Sequence, residues 1–198
     1  QVSEYKGTLT LESGRVKLAG ALGNGASIDV KGGQLYLLFG VNAPITIAGE
    51  GWTGEDHAGA DGKGSLRLDN GVTVGGPITA MDGASINVWE TQGGSINGSL
   101  SGSGALTKVG GGSLILMNDV AHTGTLVIAE GTVQYGVNEN STNKLAFSAI
   151  EIASDAHLCV SHASVNLATD IVLKGGELWS FDQDAGSGVH FKTLTVQT

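Results

Sequence analysis

The chain is poor in cysteine, proline, aromatics and cations, and each shortage narrows what it can be. Its 198 residues include one cysteine, Cys159, which excludes an internal disulfide framework and a multi-cysteine metal site. Only Pro44 and Pro77 remove a backbone donor, as suits a chain committed to hydrogen-bonded ladders. Aromatic residues make up 5%. Lys and Arg total ten against nineteen Asp and Glu, a formal net charge of −9. This argues against nucleic acid as a partner, because phosphate binding needs clustered cations, and against adhesion to an anionic membrane surface. No apolar run approaches the ~20 residues of a membrane span, so none is expected in this segment. Gln1 opens almost directly into a strand pattern with no signal-like segment, and the chain reads as a piece of something longer.

What is present is glycine, valine, isoleucine and leucine. Glycine numbers 33, well above its usual share of about 7%. It follows no Gly-X-Y period, so collagen is excluded. The aliphatic residues alternate with Ser, Thr, Asn and Asp, which is strand composition broken by tight turns. No segment carries a helical period.

A five-position motif recurs along the chain. Leu9, Leu11, Gly14, Val16 and Leu18 share their spacing with Ile28, Val30, Gly33, Leu35 and Leu37, and with Leu126, Ile128, Gly131, Val133 and Tyr135. Looser copies start at Ile45, Leu66, Ile86, Thr107, Ile150 and Ile171, and a cut-off copy begins at Leu194 and Val196. Starts lie 17 to 24 residues apart. Two side chains two apart share one face of a strand. The glycine between the pairs marks a corner where φ can turn positive. Each copy is thus two short strands and a bend, and the remaining residues return the chain to its start. One such rung buries little alone, whereas stacked rungs bury a continuous column. A sandwich of hairpins also gives many short strands, but it does not require one motif at a fixed period.

The stretch Gly104–Gly136, "GALTKVGGGSLILMNDVAHTGTLVIAEGTVQYG", resembles the autotransporter-associated β-strand repeat. Leu106, Thr107, Lys108, Gly110, Gly112, Leu114, Leu116, Thr123, Gly124, Ile128, Gly131, Thr132 and Val133 fill its characteristic places. The resemblance implies a right-handed, single-stranded parallel β-helix from a secreted or surface-displayed bacterial passenger region. It implies no activity, because such repeats are scaffold.

The expectation is therefore an all-β solenoid of about nine rungs, one domain over residues 1–198, located outside the cell or on a bacterial surface. Its expected inward column is Leu9, Leu11, Ile28, Val30, Leu35, Leu37, Ile45, Ile47, Leu66, Leu68, Ile86, Val88, Leu114, Leu116, Leu126, Ile128, Val133, Ile150, Ile152, Leu158, Ile171, Leu173 and Leu178. An end left open at Leu194 and Val196 is expected where such a protein continues.

Function in a solenoid sits in insertions and outward columns. The insertion Gly49–Ser65 carries Trp52, Asp56, His57 and Asp61, which suit a sugar or a metal, or simply a solvated excursion with Trp52 at a core offset. The outward place of the second strand is Tyr36, Ile115, Gln134, Cys159 and Trp179 in successive copies, an apolar column that is either covered or a stacking platform. Trp89 and Glu90 pair an outward indole with a carboxylate, as in sugar stacking or in packing under a loop. Asp182 and Asp184 are two apart, a spacing shared by calcium ligands and by polar turns. Cys159 has no cation near it in sequence and reads as a buried filler.

The candidate ligand-binding set is Tyr36, Trp52, Asp56, His57, Asp61, Trp89, Glu90 and Trp179, with no cofactor and no resident metal implied. The chain carries no Gly-x-Ser-x-Gly elbow, no phosphate loop and no convergent acidic set. The first reading is a scaffold or adhesion module that contacts host or surface glycans or proteins and adjoins neighbouring domains of the same chain. The alternative is a carbohydrate-binding or catalytic β-helix module of a secreted glycan-active enzyme.

Overall fold

The structure, a computed structural model, describes residues 5–52, 63–118, 120–135, 144–160, 166–180 and 190–197. Among these every regular element is a β-strand, and the strands form three parallel sheets. The first sheet stacks Thr8–Leu11, Ser27–Val30, Ile45–Ile47, Ile78–Ala80, Leu100–Gly102 and Val120–His122. The second is the longest, with nine strands from Arg15–Leu18 to His190–Val196. The third stacks Val72–Val74, Gly93–Ile96, Ser113–Leu116, Gly131–Tyr135, Ala156–Val160 and Glu177–Ser180. The described strands alternate between first and second sheet up to Leu37, visit first, second and third sheet in turn from Ile45 to Tyr135, and alternate between second and third sheet from Ala149 on. The result is a β-solenoid of about seven turns.

The stacking is residue over residue. Leu126 lies on Leu106, Ile150 on Leu126 and Ile171 on Ile150 along the second sheet. Every member of the expected inward column lies in one core cluster or packs against it, with Leu9, Leu173 and Leu178 partly buried. Strand alternation explains this, because side chains two apart must share the inner face. The hydroxyls outside form short ladders of their own, Thr8 with Ser27 at 2.8 Å and Thr73 with Ser95 at 2.7 Å.

Two expectations change in detail. Four turns, from Ile45–Ile47 to Gly131–Tyr135, carry three strands and not two, because there the returning segment is itself a strand. The motif also changes corner. Its first copies run from the first sheet to the second, since Ile28 stacks on Leu9 and Leu35 on Val16. After the insertion, Leu66 stacks on Leu35, the second strand of an earlier copy, and Ile45 is followed upward by Ile78. From there each copy runs from the second sheet to the third. The nine starts are thus not nine equivalent rungs. Their patterns look alike because both corners make the same demand, an alternating strand, a glycine and another alternating strand.

Lys108 and His122 are among the buried polar side chains. Lys108 is fully buried, stacked between Ile86 and Ile128. The expected inward start at Thr107 is therefore off by one, and Leu106 and Lys108 point in. His122 is also fully buried, accepting the Gly124 N–H at Nδ1 over 3.2 Å, with its ring 5.2 Å from that of Phe147. Loss of water lowers its pKa from the ordinary 6.5.

A base whose folded-state pKa is depressed is protonated more readily in the unfolded chain. Stability is then complete above pH 6.5 and declines as pH falls below it. Urea midpoints of the native protein are expected to drop between pH 7 and pH 5, and those of His122→Gln to drop less. Parallel pH profiles for the two proteins would refute this role for His122.

Candidate functional site

The outer face of the second sheet brings three of the sequence candidates together. Register places Lys17, Tyr36, Arg67 and Asn87 in one outward column. Arg15 and Gln34 form the neighbouring column. Gly51 and Lys63, at the described ends of the insertion, meet on this face. Gly51 and Lys63 pair in an antiparallel bridge, and the Lys63 carbonyl accepts Gln34 Nε2 at 2.8 Å and Asn87 Nδ2 at 2.9 Å.

Cations then fill the spaces between rings. The Arg67 guanidinium lies 4.5 Å from the Tyr36 ring centre and 5.3 Å from that of Trp89. Arg15 stands 4.5 Å from the ring of Trp52, and Lys17 Nζ is 5.4 Å from Tyr36. Each such contact contributes on the order of 0.5–2 kcal/mol, the larger value where water is excluded. Arg67 is buried, and its Nε and Nη2 both donate to Asp69 Oδ2 at 2.8 Å. The other carboxylate oxygen of Asp69 accepts the Trp89 N–H at 3.0 Å. A buried guanidinium paired in this way needs no ligand to balance it.

Tyr36, Trp52 and Trp89 are half-buried, with cations against their rings. Trp52 is not a core residue as its offset suggests. It packs outside, on Arg15, because the chain leaves the coil at the insertion before the offset is reached. Glu90 is exposed at the following corner with φ at 31°. Asp56, His57 and Asp61 lie outside the described residues, as do Asp182 and Asp184.

The apolar outward column divides in the same way. Ile115, Gln134, Cys159 and Trp179 do stack on one another, on the third sheet. Tyr36 does not belong with them, because the change of corner leaves it on the second sheet. Cys159 is buried and free of any disulfide.

Trp179, at the top of this column, is 39% exposed. Its ring centre is 4.2 Å from that of His157, tilted 37°. Its Nε1 donates to Glu177 Oε2 at 2.6 Å, and His157 Nε2 lies 3.5 Å from the same oxygen. Glu177 and His157 are register neighbours on adjacent strands, so the pleat fixes the trio on one side of the sheet. Among the described residues no group of three or more His, Cys, Asp and Glu side chains could hold a metal ion.

Comparison with family models, with curated proteins and with solved structures gives no match.

Sequence reasoning missed Arg15, Lys17 and His157. Their signal is positional. Each is a polar residue on an outward site one level from an aromatic, visible only once the register is known.

Proposed function

We propose that the chain is the extracellular β-helical scaffold of a bacterial autotransporter-like surface protein, with its lateral contact made on the third sheet, at Trp179, to a host or surface glycan. One observation carries this reading. Of the three tryptophans, Trp52 and Trp89 are half-buried with guanidinium groups against their rings, whereas Trp179 is exposed beside a carboxylate and an imidazole. An indole face suits the C–H face of a sugar, and flanking polar groups suit its hydroxyls. Binding of this kind needs shape and stacking and no bond-making chemistry.

A glycan array probed with the native chain and with Trp179→Ala, Trp52→Ala and Trp89→Ala tests it. Trp179→Ala is expected to weaken binding about tenfold, the worth of one aromatic stack. Trp52→Ala and Trp89→Ala are expected to lower the urea midpoint and keep the glycan. Unchanged binding by Trp179→Ala, or no glycan bound by the native chain, would overturn the reading.

A further inference from the structure

The sequence contains three Asn-Gly pairs, at Asn24, Asn70 and Asn97. Glycine after asparagine lacks the side chain that hinders ring closure onto the asparagine amide. The structure treats the three pairs differently. Gly71, after Asn70, donates its N–H to the Gly93 carbonyl at 2.7 Å. Gly98, after Asn97, donates to Val74 at 3.0 Å, and the Asn97 side-chain oxygen accepts Asn118 Nδ2 at 2.9 Å. Asn24 and Gly25 occupy the middle of a turn closed by Ala26 N–H to the Gly23 carbonyl at 3.1 Å. Both are exposed, and among the described residues neither the Gly25 N–H nor the Asn24 side chain has a hydrogen-bond partner.

We propose that Asn24 is a site of spontaneous deamidation and that the ladder protects Asn70 and Asn97. The Gly25 nitrogen gives up its proton and attacks Cγ of Asn24. A C–N bond forms, the bond to the side-chain amide nitrogen breaks, and ammonia leaves. Water then opens the five-membered imide at one of its two carbonyls, giving aspartate or isoaspartate without any oxidant or enzyme. At Asn70 and Asn97 the attacking N–H must first leave a backbone carbonyl, so the reaction waits on local opening.

Asn24 helps to wall a cavity of about 330 Å³ formed by segments 21–27 and 40–44. Conversion puts a carboxylate at its edge, one further negative charge on a chain already at −9. The isoaspartyl product also lengthens the backbone of the turn. The change stays at that end of the coil, away from Trp179.

Peptide mapping of the folded chain held at neutral to mildly alkaline pH tests the proposal. The acid form at position 24 is expected to accumulate about tenfold faster than at 70 or 97, the effect of one backbone hydrogen bond. In denaturant the three rates should converge. Gly25→Ala should slow the reaction at Asn24; its Cβ meets nothing within 4 Å, and the φ of 88° there costs about 1 kcal/mol, confined to the exposed turn. Equal native rates at the three positions, faster conversion at Asn70 or Asn97, or no slowing by Gly25→Ala would overturn it.

Discussion

Gly131→Ala is expected to cost about 3 kcal/mol in urea unfolding, and Gly71→Ala about 1 kcal/mol. Both glycines have positive φ, 67° and 73°, at corners between the second and third sheets. An L side chain pays for that conformation at either place. The difference lies in what stands below. A Cβ at Gly131 would meet backbone atoms of Gly110, Gly111 and Gly112 at 2.6 Å, one level down. A Cβ at Gly71 meets nothing within 4 Å. Backbone cannot swing aside as a flexible side chain can, so the Gly131 variant must push two turns of the coil apart. Equal losses in the two variants would show that conformation, and not contact between levels, makes glycine necessary at these corners.

Lys108→Met is expected to lower stability by about 2–4 kcal/mol, although it keeps most of the apolar stem. The Lys108 Nζ donates to the carbonyls of Val109 at 3.1 Å, Gly110 at 2.6 Å and Glu130 at 2.9 Å. An ammonium has three donors, and here each has its acceptor. Methionine would leave the corner carbonyls without those donors. The Glu130 carboxylate stands close by, accepting the Gly110 N–H at 3.0 Å and pairing with Lys63 at 3.2 Å.

Burial lowers the Lys108 pKa from 10.5 to about 8, with Glu130 opposing the fall. In the interval between about 8 and 10.5 the unfolded chain holds the proton that the folded chain has lost, so stability rises with pH across it. At 1.36 kcal/mol per pH unit the gain is about 3 kcal/mol, and Lys108→Met should lack it. Denaturant titrations of both proteins at pH 7.5 and 10 measure the difference. A wild-type midpoint that falls over this interval relative to the variant would mean that the three carbonyls hold the proton more firmly than burial expels it.

The solenoid was legible because its inner face repeats one simple demand. Leu9, Ile28 and Ile45 align in sequence and stack in space, as do Leu126, Ile150 and Ile171. The third strand of the middle turns was hidden by its brevity. Ile78–Ala80 and Leu100–Gly102 have three residues each, too few for alternation to stand out from a turn. The change of corner after Ile45 was hidden because both corners use the same residues. Lys108 was passed over as an inward residue because a charged head conceals an apolar stem.

The candidate site was legible only as parts. Tyr36, Trp52 and Trp89 were picked out singly by type. That Arg15 and Arg67 lie against them follows from register, which an insertion of unknown path disguises. Trp179 was read in the right column, but its exposure depends on what the levels beside it leave open.

The ladders on either side of the insertion run on without a break, Leu35 to Leu66 and Ile45 to Ile78. Its two feet are pinned by the Gly51–Lys63 bridge and by the amides of Gln34 and Asn87. Length added between those feet therefore costs little beyond loop closure, about 0.6 kcal/mol for each doubling. The coil is in this respect a ready-made carrier: a foreign epitope or enzyme spliced between Trp52 and Lys63 should leave the ladders on either side in register.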